Sequence, residues 1–226
     1  MFQPREEKKV KNRRLIAAAL FAAVLMLATP FQGATAFAAG VAAGGPDSLA
    51  NVSGSMYSLA ARMSEVGAGE GLRSLSLGPG GGWVVVGNRN YYYKNAPTTM
   101  LNKIREAVGG GESLLSASFD ERGGWVVVGN QNVYYSYNVS YDSPLRQTVR
   151  RMVAAGESVR SVSLGPAGTW IVVGDRHFYN SADVPAEVVS EMRQVGAEEG
   201  LMSATFDAFG RWVVVGREHV FKNNVG

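Results

Sequence analysis

Cysteine is absent from this chain of 226 residues. Disulfide bridges, thiolate metal ligands and cysteine nucleophiles are therefore excluded, and a domain without them must be held by its own core. Histidine is almost absent too, with only His177 and His219. Long apolar stretches are equally scarce. One uncharged run at 15–28 has the length of a signal-peptide core and is short for a membrane span.

The N-terminal segment has the order of a secretory signal peptide. Basic residues fill 5–14, the apolar run follows, and Ala36-Phe37-Ala38 forms an A-x-A cleavage signal. We predict a cleaved signal at 1–38 and a flexible leader at 39–52, with an uncleaved N-terminal anchor as the alternative. The mature protein is then secreted, periplasmic or part of the cell envelope, and has no stable membrane span.

Removal of the signal changes the electrostatics of the chain. Residues 39–226 hold 16 basic and 17 acidic side chains, whereas the whole chain has a formal net charge of +3. The alkaline character therefore belongs to the signal. No basic patch remains to suggest a nucleic-acid partner.

Four tandem repeats fill the domain predicted at 53–226. Its four tryptophans are spaced by 42, 45 and 42 residues, and their flanks align without gaps. A glycine stands two residues before and four residues after each tryptophan, and Ser or Thr stands seven and nine before. The first and third repeats share a G-P turn, and the second and fourth share a turn that begins with Asp. The repeats span about 53–95, 96–138, 139–182 and 183–226, and their tryptophans are Trp83, Trp125, Trp170 and Trp212.

Each repeat predicts a helix followed by a three-stranded meander. Alternation in Ser74-Leu75-Ser76-Leu77 indicates a first strand, and the glycine two before the tryptophan indicates a turn with positive φ. The octet at 81–88, GGWVVVGN, recurs exactly at 123–130, and its continuous β-branched run is typical of a strand covered on both faces. Prolines mark the starts of the linking helices, glycines mark their ends, and a first helix is expected around 56–66. The prolines are Pro97, Pro144 and Pro185, and the glycines are Gly109, Gly156 and Gly196.

The fold class follows from this repeat. We predict a mainly β protein with helices, in which four helix-plus-meander repeats close into a four-bladed, propeller-like ring. An open α/β solenoid is the alternative. It requires polar capping repeats, whereas the terminal repeats here are as apolar as the central ones. The four tryptophans are expected in the core.

The segments 120–129 and 207–216 share D-x-x-G-x-W-V-V-V-G, which resembles the strand–turn–strand of propeller blades. Four such units with helices are similar to hemopexin-type four-bladed propellers over 53–226, although those are clasped by a disulfide that this chain cannot form. The chain also resembles uncharacterised bacterial proteins with repeated G-W-V-V segments. That resemblance implies export and a repeat scaffold, and it implies no activity.

One polar position differs between the repeats. Seven residues after each tryptophan stand Asn90, Asn132, His177 and His219. In a ring these side chains would occupy equivalent places, where they are candidate ligand-binding residues and the two histidines candidate metal or haem ligands. The alternative interpretation is an exposed turn at the start of the third strand, where Asn and His are both common.

Tyrosines are concentrated in the first two repeats, where they are candidate binding residues. We take Tyr92 and Tyr135 as further candidates, because exposed tyrosines offer flat, amphipathic contact surface. No Ser sits in a G-x-S-x-G elbow, and no repeated carboxylate pair suggests acid–base catalysis. We therefore expect a secreted, non-enzymatic binding module for a protein or glycan. The alternatives are a self-assembling structural protein of the envelope or matrix and a metal or haem carrier.

Overall fold

A computed structural model describes residues 59–223. The expected signal peptide, the leader and the first residues of the domain lie outside this part of the chain. Among residues 59–223, no helix is long and apolar enough to cross a membrane.

The predicted four repeats of helix plus three-stranded meander are confirmed. The helices are α1 (Leu59–Gly69), α2 (Thr98–Gly109), α3 (Pro144–Ala154) and α4 (Ala186–Glu198). The strands are β1 (Leu72–Leu77), β2 (Trp83–Gly87), β3 (Tyr91–Lys94), β4 (Leu114–Phe119), β5 (Trp125–Gly129), β6 (Val133–Tyr135), β7 (Val159–Leu164), β8 (Trp170–Gly174), β9 (Phe178–Asn180), β10 (Leu201–Phe206), β11 (Trp212–Gly216) and β12 (Val220–Asn223). Each meander is a separate antiparallel sheet in chain order.

The boundaries follow the predicted signals with two exceptions. Pro97 and Pro185 are N-caps and Pro144 is the first residue of its helix. The first helix runs from Leu59 to Gly69 in the described part of the chain, beyond the expected 56–66. The last helix continues past Gly196 to Glu198, and the positive φ that ends it belongs to Gly200.

The glycine two before each tryptophan has the predicted left-handed backbone. Its φ is between 72° and 83° in all four repeats, at Gly81, Gly123, Gly168 and Gly210. This conformation favours glycine because a Cβ would be strained there. The tight reversal it allows places the tryptophan opposite the last residue of the first strand, as in the pair Leu77 and Trp83.

The middle strands are covered on both faces. In β2, Val84 and Val86 belong to an apolar cluster shared with the second repeat, and Val85 belongs to a cluster shared with the fourth. The other middle strands divide in the same way between two clusters. This double coverage explains the uninterrupted β-branched run, because neither face meets water.

Each apolar cluster joins two repeats and includes a helix. The helices α2, α3 and α4 contribute to the clusters between the first and second, second and third, and third and fourth repeats. The fourth cluster contains Met63 and Val66 of α1 together with Val213 and Val215 of β11. Residues of the first and fourth repeats are therefore in direct contact.

The first strands carry buried hydroxyl groups that cross between repeats. Leu75 N donates to Ser203 Oγ at 3.4 Å and Leu77 N donates to Thr205 Oγ1 at 3.0 Å. The second and third repeats show the same pair of bonds, from Val162 N to Ser116 Oγ and from Leu164 N to Ser118 Oγ. Hydroxyls of the second and fourth repeats thus satisfy backbone donors of the third and first.

The contacts between the first and second repeats, and those between the third and fourth, include a phenylalanine. Phe119 packs on the G-P turn of the first repeat, where a methyl group added to Gly78 would overlap its ring. Phe206 packs on Gly165 of the third repeat in the same way. From one pair of repeats to the next, contacts with a phenylalanine therefore alternate with contacts made by Ser and Thr hydroxyls. The phenylalanine packs on the G-P turn of the preceding repeat, and this contact explains why the turn sequences alternate.

Candidate functional site

A glutamate stands thirteen residues before each tryptophan and caps the turn that leads into the third strand. Glu157 shows the arrangement. Its Oε1 accepts hydrogen bonds from Arg176 N at 3.1 Å and His177 N at 2.7 Å. Equivalent carboxylates at the other helix ends accept from the corresponding turns, and these glutamates are Glu70, Glu112 and Glu199.

The four predicted polar residues contact these glutamates. Asn90 and Asn132 donate their side-chain amides to the carboxylates of Glu70 and Glu112 at 3.3 Å and 2.8 Å. In the other two repeats a histidine takes the same role. The Nδ1 of His177 lies 3.2 Å from Glu157 Oε2, and that of His219 lies 3.2 Å from Glu199 Oε2.

Each of these side chains stays in its own repeat. Within residues 59–223, no hydrogen bond, ion pair or ring contact joins any two of Asn90, Asn132, His177 and His219. Both histidine side chains are about two-thirds exposed, at 63% and 64%. Asn and His are interchangeable at this position because each can present a nitrogen to a carboxylate.

The glycine four residues after each tryptophan makes room for the carboxylate. A Cβ on Gly174 would lie 2.6 Å from Met152 Cε and closer still to Glu157 Oε1. The equivalent glycines meet the carboxylates of their own repeats, and they are Gly87, Gly129 and Gly216. None of the four has a positive φ. Their recurrence reflects the space that the carboxylate needs over the strand.

Hydrogen bonding keeps two of the glutamates ionised. Burial by itself raises the pKa of Glu157, but donation from the His177 backbone and ring and from Arg176 N outweighs it, so the pKa lies below its ordinary value of 4.5. The hydroxyl of Tyr134 donates to Glu112. This bond lowers the pKa of Glu112 and raises that of Tyr134.

One group of possible metal ligands occurs among residues 59–223. Ligand atoms of Glu199, Glu218 and His219 lie within 4.8 Å of one another, and the group does not include His177. Glu199 Oε1 is buried and has no hydrogen-bond partner within the described residues. Two carboxylates and an imidazole are a ligand set that suits a divalent transition metal.

The two predicted tyrosines are half-buried beneath arginines. The Arg62 guanidinium lies 4.6 Å from the centre of the Tyr92 ring, and Arg146 lies 4.4 Å from that of Tyr135. Burial raises the pKa of Tyr135 to about 12. It also raises the pKa of Tyr92, where the charge of Glu70 acts in the same direction. Both phenols stay neutral at physiological pH.

The two most exposed tyrosines among residues 59–223 lie in the segment that follows Tyr135. Tyr137 is 95% exposed and Tyr141 is 64% exposed. Arg150 lies 3.7 Å from the centre of the Tyr141 ring and donates to the Tyr141 carbonyl. Arg146 approaches the same ring and donates to the Val139 carbonyl at 3.2 Å. We call Tyr137, Tyr141, Arg146 and Arg150 the tyrosine–arginine surface.

A second basic feature is a cavity of about 480 Å³ where the first strands begin. The second residues of β1, β4, β7 and β10 all line it, and Arg217 and Asn88 stand at its side. Its charged residues are three arginines, and no acidic residue lines it. We call it the arginine cavity. The strand residues are Arg73, Leu115, Arg160 and Met202.

The tryptophans lie at the contacts between repeats. Trp125 is buried, with 7% of its surface exposed, and its indole Nε1 donates to Thr99 Oγ1 at 3.0 Å. Trp83, Trp170 and Trp212 are half-buried and pack against the clusters of their own repeats. Only Trp125 is thus fully enclosed.

Our interpretation of the sequence missed the glutamates and the arginine cavity. The glutamates carried a signal, since the alignment of the repeats extends without gaps to the thirteenth residue before each tryptophan. The cavity carried none, because its three arginines occupy two different repeat positions. No family model, curated protein or solved structure matches this chain. The structure itself supports four tandem repeats of a helix and a three-stranded antiparallel sheet.

Proposed function

We propose that this chain is an exported, non-enzymatic binding module whose four repeats close into a four-bladed ring. The bonds from Leu75 N and Leu77 N to the fourth repeat support closure, since they match the bonds between the second and third repeats. The cluster shared by α1, β2 and β11 supports it too. A ring of this kind offers a rigid scaffold from which surface residues can recognise a partner.

The binding role is carried by the tyrosine–arginine surface. Tyr137 makes no hydrogen bond or ring contact within residues 59–223, so no polar or aromatic contact in this part of the chain accounts for the tyrosine at this exposed position. Tyr141 is held in place by Arg150, which orders an aromatic face that solvent can reach. Exposed tyrosine beside arginine is typical of recognition surfaces, because tyrosine buries a large area at a low cost in conformational entropy and arginine supplies charged hydrogen-bond donors.

Charge favours an acidic partner for this surface. The helix α3 contains Arg146, Arg150 and Arg151 and no acidic residue. This local excess of positive charge stands out in residues 39–226, which hold one more acidic than basic residue. Of the protein and glycan partners that the sequence suggests, an acidic glycan fits best. Its sugar rings stack on tyrosine, and its carboxylate or sulfate groups pair with arginine.

Affinity electrophoresis tests this proposal with polygalacturonate, dextran sulfate and neutral dextran as probes. We expect an acidic polysaccharide to retard the wild-type protein and Tyr137→Ala to reduce that retardation at least about threefold, the effect of losing one stacked aromatic side chain. Tyr179→Ala removes a partly exposed tyrosine of the third repeat and is the matched control. Equal retardation of Tyr137→Ala and the control, or none by either acidic polymer, would refute the role of this surface.

A metal-carrying function is a second candidate, and the group of Glu199, Glu218 and His219 favours it. The unpartnered Glu199 Oε1 gives this group an acceptor that the other three capping glutamates use for hydrogen bonds. Zinc titration followed by calorimetry tests it. We expect one site in the wild-type protein that is lost in His219→Ala and kept in His177→Ala. Equal zinc affinity of both variants would eliminate this site.

A further inference from the structure

The arginine cavity concentrates positive charge that nothing in the described chain neutralises. Arg73, Arg160 and Arg217 line it, and none of them forms an ion pair within residues 59–223. Three uncompensated guanidinium groups at one depression repel one another. They also focus a positive potential into it, which attracts a counter-charge.

Two of these arginines are held by neutral acceptors. Arg73 donates from Nε to Asn88 Oδ1 at 2.7 Å and from Nη1 to the Leu114 carbonyl at 3.1 Å. Arg160 donates from Nη1 toward Met202 Sδ at 3.3 Å and the Leu201 carbonyl at 3.5 Å. These bonds fix the guanidinium groups across neighbouring repeats and leave their charge and remaining N–H donors unused.

Arg217 differs from the other two. It packs over Gly200, whose added Cβ would lie 3.1 Å from Arg217 Nε, and it makes no hydrogen bond within residues 59–223. The same repeat position holds Asn88, which bonds the Glu70 carbonyl as well as Arg73. Arg217 therefore adds a charge to the cavity without performing the structural task of its counterpart.

We propose that the arginine cavity binds a small anion that carries two or more carboxylate or phosphate groups. A volume of about 480 Å³ lies within the range of small-molecule sites. The planar guanidinium matches both oxyanions through paired N–H donors. Leu72, Leu115 and Met202 add apolar wall between the charges, which suits the carbon skeleton of such a ligand.

Isothermal titration calorimetry tests this site with citrate and pyrophosphate as probes. Trimethyl citrate, which has the same skeleton without negative charge, serves as the neutral control. We expect at least one of the two anions to bind the wild-type protein at one site, with an affinity that falls as salt rises. Binding of citrate alone assigns a carboxylate ligand, and binding of pyrophosphate alone assigns a phosphate ligand.

The variant Arg217→Gln isolates binding from folding, because the side chain has no partner in the described structure. We expect this variant to keep the wild-type melting temperature. Its affinity for the anion should fall at least about tenfold, which is the effect of losing one charge-assisted hydrogen bond. Arg193→Gln removes an exposed arginine of α4 outside the cavity and is the matched control. Three results would overturn the proposal: no binding of either anion, equal binding of trimethyl citrate, or equal affinity in the two variants.

Discussion

Replacing Gly174 by alanine tests the most regular feature of this fold, the carboxylate that sits over the middle strand. Gly174 is the fourth residue after Trp170, is buried, and has no positive φ. Its backbone therefore tolerates alanine, and any cost must come from space. The added methyl would overlap Glu157 Oε1 and lie 2.6 Å from Met152 Cε.

The expected loss in the free energy of unfolding follows from the contacts that the added methyl group displaces. Glu157 accepts two backbone N–H bonds at 3.1 Å and 2.7 Å and contacts the His177 ring. Overpacking a well-packed site costs about 1–3 kcal/mol, and losing a hydrogen bond to a charged group costs about 1.5–3 kcal/mol. We expect Gly174→Ala to lower the free energy of unfolding by about 3 kcal/mol, and the melting temperature by about 6–12 °C for a chain of this size.

Urea denaturation followed by circular dichroism measures the effect, with Gly196→Ala as the control. Gly196 lies inside α4 and an added Cβ meets only Leu201 Cβ, at 4.0 Å. Alanine there should stabilise the protein by about 0.5–1 kcal/mol. In a Glu157→Ala background, Gly174→Ala should cost less than about 1 kcal/mol, because the clash with the carboxylate is gone and only Met152 Cε, the far end of a flexible side chain, must shift. A full cost without the carboxylate would refute the reasoning.

Two further predictions concern the loss of stability in acid and the cost of removing a tryptophan side chain. Because the folded-state pKa of Glu157 lies below 4.5, the stability it contributes is present above that value and is lost as pH falls through the folded pKa. Urea unfolding between about pH 6 and pH 3 should thus show a weaker pH dependence in Glu157→Gln than in wild type, and equal slopes would contradict this. Trp125→Ala should destabilise by about 3–5 kcal/mol, and Trp83→Ala by less since that indole is half-buried; equal losses in thermal unfolding would contradict the burial difference.

The sequence allowed the repeat unit to be predicted in detail because its signals are local. An uninterrupted β-branched run between glycines identifies the covered strand, and the four glycines two before the tryptophans needed only knowledge of backbone sterics. The predicted end of α4 was wrong because Gly196 has no positive φ and lies within the helix, which continues to Glu198. A glycine there lowers helix propensity without ending the helix, and the positive φ lies four residues later at Gly200.

The carboxylate caps were harder to predict because the glutamate and its partners are about twenty residues apart. Glu157 and His177 meet only when the first and second strands pair and bring the end of α3 beside the next turn. The repeat pattern in the sequence shows that the glutamate and its partner positions recur, but it does not show that they are in contact. That is why His177 suggested a ligand, whereas the structure places its Nδ1 on a carboxylate of the same repeat.

Agreement and disagreement between the repeats separate scaffold from function in this chain. Positions that agree four times have structural tasks: positive φ two before the tryptophan, space for a carboxylate four after it, and the capping glutamate. Positions that agree in alternate repeats form the phenylalanine contacts, as Phe119 on Gly78 shows. Arg217 fits neither class, because its counterparts are Asn88, Asn130 and Asp175. Arg217 is the only positive charge at this repeat position, and it makes no hydrogen bond to the scaffold within residues 59–223. Its removal should therefore leave the fold intact and report on binding alone.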